Sequence, residues 1–231
     1  SGTGITNAVS GNFSPAAAGA GSHWIVYNVG NVSCFDADSI LIHIDSVPQV
    51  SLTPAGPYCI SQPAEMLLAN LSGGTWSGVG ITNSTTGIFD PTVAGQGNHT
   101  ITYILADGTC LSEPQLIIQV DSLADASITN PGAVCENSIP LTLTATDSGG
   151  VWNGTGITDP NLGIFSPAIS GAGNHQIVYE VYSGVCYDSD TIILHVDAVP
   201  DPFITPAGPY CINDAAVSLS ALTPGGTWSG T

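Results

Sequence analysis

The sequence predicts an all-β protein, a tandem row of small β-sandwich domains with a 76-residue period. Three observations carry this: a repeat free of insertions, alternating apolar residues within each repeat, and no segment with a helical period. The repeat is the strongest of them. "GTWSGVGIT" (Gly74 to Thr82) returns as "GVWNGTGIT" (Gly150 to Thr158), and both match "SGTGIT" at the start and "GTWSGT" at the end. Ser1, Ser77, Asn153 and Ser229 are spaced by 76 each time. Phe13, Phe89 and Phe165 share that register, as do His23, His99 and His175, Tyr27, Tyr103 and Tyr179, Cys34, Cys110 and Cys186, and Cys59, Cys135 and Cys211.

A period of this length is too long for one turn of a solenoid and suits an independent β-domain. "HTITYIL" (His99 to Leu105) and "QLIIQV" (Gln115 to Val120) alternate apolar and polar residues and read as strands joined by the turn-rich "ADGTCLSEP". "AEMLLANL" (Ala64 to Leu71) has helical propensity, but its counterparts "VSLSAL" and "LTLTAT" alternate, so it is read as a strand. Gly and Pro in "GIFDPTVAGQGNH" exclude long regular structure there. Each repeat therefore amounts to about seven short strands in a β-sandwich.

The Pro- and Asp-bearing junctions "IDSVPQVSL", "VDSLADASI" and "VDAVPDPFI" mark the boundaries. Cutting there gives complete repeats at 48–123 and 124–199. The piece 1–47 carries the later strands of a repeat, and 200–231 carries the earlier ones. In one reading the chain is a window into a longer polypeptide whose neighbouring repeats complete both ends. In the other, strands 200–231 of one molecule complete 1–47 of the next. The window is preferred, because the break falls inside the Trp strand.

Charge narrows the partners. The chain has no Lys or Arg against 18 Asp plus Glu, with mean hydropathy +0.30. Nucleic acid and anionic membranes both require cations to neutralise phosphate, so neither is an expected partner. Trypsin-type proteases find no cleavage site in such a chain, and an acidic soluble surface is the plainer reading of the same composition. No run of about 18 apolar residues exists, so no membrane insertion is expected, and no basic-then-apolar leader is present.

The shared string, with its Trp, "FDP", "AGxGxH" and "PAGPYC" marks in one register, resembles the tandem immunoglobulin-like or PKD-like repeats of large Bacteroidota cell-surface proteins. These include gliding-motility adhesins of the type IX-secreted kind. The resemblance spans the whole chain and implies an extracellular array of immunoglobulin-like sandwiches forming a fibre, stalk or adhesin without catalytic activity. "GIFDP" becomes "GNFSP" at Gly11 to Pro15 and "GIFSP" at Gly163 to Pro167, so Asp90 is not a shared functional residue. The resemblance also implies O-glycans on Asp-Ser/Thr followed by an aliphatic residue, which here means Ser39, Ser46, Ser122 and Thr191.

Two cysteines per period point to an oxidising compartment. In the domain reading Cys59 pairs with Cys110 and Cys135 with Cys186, leaving Cys34 and Cys211 to join neighbouring segments. A rival register pairs Cys34 with Cys59, Cys110 with Cys135 and Cys186 with Cys211. Pairing within a domain is favoured, although immunoglobulin topology puts those two positions at opposite ends of a sandwich.

Catalytic chemistry finds little support, since neither a GxSxG elbow nor an HExxH motif occurs. His23, His99 and His175 precede a Tyr-bearing strand, where a structural hydrogen bond is the expected role. His43 and His195 become Gln119 in the middle repeat, which argues against catalysis. Trp76, Trp152 and Trp228 sit where a core wants a large ring; an exposed sugar-stacking platform is the competing reading. Zinc is not expected, and no cofactor is called for. Calcium at the boundaries would fall to Asp45, Asp121 and Asp197, but "DADS" (Asp36 to Ser39) and "DSD" (Asp188 to Asp190) become "LSEP" in the middle repeat, so solubilising turns are preferred. The leading function is a non-enzymatic extracellular filament or surface stalk whose partners are copies of itself or further repeats, head to tail. The alternative is an adhesin that binds glycans or other cells through loops that vary between repeats, such as "TNSTTG" against "TDPNLG".

Overall fold

The computed structural model describes residues 1–230, so Thr231, the last residue of the closing "GTWSGT", lies outside the described residues. The chain divides into two compact units. One comprises Ser1–Leu123 together with Gly184–Cys186, and the other comprises Ala124–Ser183 and the residues from Tyr187 onward.

In the first unit, alternation builds the strands. Gly97–Asp107 and Gln115–Asp121 pair antiparallel from Gly97 opposite Val120 to Thr102 opposite Gln115. Ile101, Tyr103, Ile118 and Val120 point into the core, while Thr100, Ile117 and Gln119 lie on the other face, as a period of two requires. Thr75–Ser77 pairs with Gly97–Asp107 on one side, and Tyr58–Cys59 runs parallel to the end of Gln115–Asp121 on the other. A second sheet holds Glu65–Met66, Ile88–Phe89 and Ile81–Asn83, with Leu52 bridged to Ala69 beyond its edge. "AEMLLANL" is therefore strand rather than helix. The chain crosses between sheets from Ser77 to Ile81 and returns between Phe89 and Gly97, which is immunoglobulin-like connectivity.

Leu67 and Phe89 from one sheet meet Trp76, Ile101, Tyr103, Ile118 and Val120 from the other in a single core. The Tyr103 ring lies 4.6 Å from that of Trp76. Its hydroxyl donates to Leu71 O and accepts from Gly74 N, both at 2.8 Å. The loop expected to be irregular contains one helical turn, Pro91–Ala94. Pro at its start presets the helical φ, and the Asp90 carboxylate accepts from Thr92 N and Val93 N. Ser14 caps the same turn in 1–47 by accepting from Ala17 N, so position 90 is a cap.

The second unit repeats this plan. One sheet runs Val134–Cys135, Cys186–Asp197, Gly173–Ser183 and Val151–Gly154 in order, and the other holds Leu141–Thr142, Ile164–Phe165 and Ile157–Asp159. Trp152 and Tyr179 again stack, 4.4 Å apart, with the Tyr179 hydroxyl bonded to Asp147 O and Gly150 N.

The two end segments keep local structure without that core. Residues 1–47 form a hairpin of Gly21–Gly30 with Phe35–Ile44 and a small one of Ile5–Asn7 with Asn12–Phe13. Residues 200–230 contain the bridge Ile204–Ala221, the counterpart of Leu52–Ala69. Tyr27 is 71% exposed where Tyr103 is 2%, and Trp228 is 53% exposed where Trp76 is 4%.

This contrast gives a matched test by denaturant unfolding. Tyr103→Phe leaves the half-buried Gly74 N–H without its acceptor and is expected to cost about 1–3 kcal/mol, whereas Tyr27→Phe at the same register is expected to stay within about 0.5 kcal/mol. Equal losses in the two variants would contradict the core assignment.

Candidate functional site

The residues that recur with polar chemistry gather at the end of each last strand. Two residues before each boundary aspartate stands a side chain on the same face of the strand. It is His43, Gln119 or His195, and in every case it reaches the carboxylate. His43 Nε2 lies 3.5 Å from Asp45 Oδ1, Gln119 Nε2 donates to Asp121 Oδ1 at 2.6 Å, and His195 Nε2 lies 3.2 Å from Asp197 Oδ1. The change from His to Gln preserves this reach, so the shared role is to orient the carboxylate.

Two of these carboxylates hold a hairpin tip. Asp45 Oδ2 accepts from Thr109 N at 2.9 Å and Thr109 Oγ1 at 3.0 Å, and Asp121 Oδ2 accepts from Val185 N at 2.9 Å. Each tip carries a left-handed glycine, Gly108 at φ +58° and Gly184 at φ +59°, and a Cβ on either would collide with the carboxylate it faces. Glycine is thus needed twice there, for φ and for close approach. The Thr109 backbone and hydroxyl hydrogen bonds, aided by His43, hold the Asp45 carboxyl below its usual range; the Gln119 amide and then the Val185 N–H do the same for Asp121. Asp197 shares the orienting residue, but its side chain is 62% exposed against 26% for Asp45.

The cysteines lie in the same place. Cys59 pairs with Asp121 across the parallel strands, and Cys135 pairs likewise with Asp197. The thiol of Cys110 lies 3.5 Å from Asp45 O, and Cys186 Sγ lies 3.4 Å from Asp121 O. Cys59 and Cys186, 127 residues apart, form a disulfide within the first unit. This replaces both expected registers: Cys59 is not joined to Cys110, Cys135 is not joined to Cys186, and Cys34, Cys110, Cys135 and Cys211 are unbonded. The reason is the length of the last strand. Cys110 opens the return of the hairpin and Cys59 lies beside its far end at Asp121, about 35 Å away at roughly 3.3 Å per residue, far beyond the roughly 7 Å between Cα atoms that a disulfide spans.

The remaining expected residues fall as follows. No three His, Cys, Asp or Glu side chains cluster to hold a metal among the described residues; of the three calcium candidates Asp45 and Asp121 are committed to protein donors, and Asp197 is exposed beside His195. Asp188 and Asp190 also bind backbone, accepting from Ala126 N and Ile128 N. His99 and His175 Nε2 meet Gly95 O and Gly171 O at 2.8 Å, and His23 meets Gly19 O at 2.9 Å, pinning the end of the helical turn to the next strand. Trp76 and Trp152 are core residues and offer no sugar platform. Ser39, Ser46 and Thr191 are exposed, and Ser122 is half-buried. The pairing of carboxylate with hairpin tip was missed from sequence, although Asp at the boundary and Gly two residues before Cys at 108 and 184 were both visible.

No protein-family model matches the chain, and no curated protein matches it. Among solved structures, extracellular domains 3-5 of Drosophila OTK are similar over 77% of this chain and 71% of theirs, at 10% identity and TM-score 0.42. A titin I-band fragment is similar over 82% of this chain and 77% of its own, at 11% identity and TM-score 0.37. The insect immune protein hemolin is similar over 77% of this chain and 56% of its own, at 11% identity and TM-score 0.32.

Gly184→Ala is expected to lower stability by more than the roughly 1–2 kcal/mol of left-handed backbone strain, because it also displaces the Asp121 contact; a smaller loss in urea unfolding would contradict the close approach. Depressed carboxylate pKa values stabilise the fold fully above the unfolded value of about 4, and that stability is lost as pH falls through the lower folded-state values. Urea midpoints should therefore drop below about pH 4, with a shallower drop in Asp121→Asn.

Proposed function

We propose that the chain is a non-enzymatic repeat segment of an extracellular filament or surface stalk. Its complete repeats are 48–123 and 124–199, flanked by the partial repeats 1–47 and 200–231. The observation that supports this best is the recurrence of one contact in one register: Asp45 with Gly108 and Thr109, then Asp121 with Gly184 and Val185. A contact reproduced every 76 residues without insertion extends indefinitely along an array, which is what a stalk requires and an isolated binding domain does not. The difference in exposure between Tyr27 and Tyr103, and between Trp228 and Trp76, supports completion of the end segments by neighbouring repeats. Those neighbours are copies of the chain or further repeats in the same polypeptide, arranged head to tail. Residence outside the cell fits the disulfide, and the resemblance to Bacteroidota surface repeats fits the same setting, with O-glycans at Ser39, Ser46, Ser122 and Thr191 as modifications consistent with it.

One observation favours a second reading, an adhesin acting through its loops. Asn7, Asn83 and Asp159 each accept two backbone N–H groups of the following turn, so one scaffold presents different side chains: Val9 and Ser10, Thr85 and Thr86, Asn161 and Leu162. Electron micrographs of the oxidised protein are expected to show long thin filaments and a glycan array to stay blank. Dispersed single particles with saturable glycan binding would favour the adhesin.

A further inference from the structure

The disulfide Cys59–Cys186 needs three things in register: a cysteine laid parallel on the last-strand aspartate, that aspartate's carboxylate, and a hairpin tip with Gly two residues before its cysteine. At Asp45 two of the three are already in place. The tip Gly108, Thr109 and Cys110 is seated on Asp45 with the geometry that Gly184, Val185 and Cys186 have on Asp121. The third element exists elsewhere in the same chain. "PAGPYC" at 206–211 repeats "PAGPYC" at 54–59. Cys211 N donates to Asp214 Oδ2 at 2.7 Å as Cys59 N donates to Gln62 Oε1 at 2.9 Å, and both cysteine carbonyls accept from the residue three positions on. The bridge Ile204–Ala221 repeats Leu52–Ala69. Segment 200–230 therefore already keeps the first bridge and the cysteine turn of a repeat, with Trp228 exposed. Trp76 pairs across strands with Tyr103, and the residues at the same register in the end segments, Trp228 and Tyr27, are both exposed.

We propose that Cys211 of one copy of this chain forms a disulfide with Cys110 of the next, with segment 200–230 completing the sandwich of residues 1–47 and Cys211 lying beside Asp45 as Cys59 lies beside Asp121. The register is consistent: Cys211 holds the place of Cys59 two 76-residue periods on, and Cys110 holds the place of Cys186 one period back. Two thiols give up two protons and two electrons to form the S–S bond, and the acceptor is the disulfide of a thiol–disulfide oxidoreductase, reduced to its dithiol by exchange. The rule stops short of Cys34, because Val32 stands where Gly108 and Gly184 stand and its side chain would meet the carboxylate. The bond rests on the filament reading only for the head-to-tail order of the copies.

The test uses the whole 231-residue chain, oxidised with a glutathione redox pair and a disulfide oxidoreductase, then alkylated and digested with Asp-N and chymotrypsin, since trypsin has no site. Mass spectrometry is expected to find Cys59 linked to Cys186 and Cys110 linked to Cys211. On denaturing gels the protein should run as multiples of 23.4 kDa that collapse to one band on reduction. Cys211→Ser should abolish the ladder and leave Cys110 alkylated, with Cys59–Cys186 retained as evidence of folding. Cys110 linked to Cys135, or Cys110 fully alkylated in wild-type protein whose Cys59–Cys186 bond is intact, overturns the proposal. Filaments with Cys110 and Cys211 both free also overturn the bond but leave the filament reading standing. The Cys110–Cys211 link in closed dimers without filaments overturns the filament reading and leaves the bond.

Discussion

Each sandwich depends on one buried aromatic pair. Tyr103 stacks on Trp76, and its hydroxyl fixes Leu71 and Gly74, the loop that leads into the Trp strand. A phenol in a core is tolerated only when its hydroxyl is bonded. Here that requirement ties the turn of one sheet to the central strand of the other, and Tyr179 does the same with Trp152, Asp147 and Gly150. Where the partner strand is not alongside, the same residues lie at the surface. Tyr27 and Trp228 are the clearest examples.

The boundary chemistry follows from strand length. The return of the hairpin runs from its cysteine to the boundary aspartate, so an extended stretch of chain separates the two. A docking carboxylate with a parallel cysteine sits at one end, and a glycine-tipped hairpin with its own cysteine sits at the other. Asp121 faces Gly184 with the Cys59–Cys186 disulfide beside it, and Asp45 faces Gly108 with the hairpin tip seated on its carboxylate. The carboxylates are surface groups, and their contribution lies in hydrogen bonds to backbone N–H groups in a fixed register more than in charge pairing, in keeping with the small net value of exposed ion pairs.

Much of the sandwich was legible because its signal is local. Alternation at Ile101 and Tyr103, and the recurrence of "LTLTAT" and "VSLSAL" against "AEMLLANL", suffice to read strands from residues a few positions apart. The helical turn at Pro91–Ala94 was not read, because four residues are too few to show a period, although Pro directly after Asp or Ser was present at all three positions. The histidine of "GNH" was legible as structural, and its partner, the glycine carbonyl four residues earlier, was not named.

The sequence by itself determined the all-β class, the 76-residue repeat and the core reading of Trp76, because periodicity and apolar pattern are written along the chain. Only the tertiary structure decided which cysteines meet. Cysteine spacing gives distance along the chain, whereas pairing depends on where an extended strand delivers its two ends. A strand of about 35 Å carries Cys110 away from Cys59, and the Asp121 carboxylate draws the Gly184 tip, with Cys186, to the place beside it.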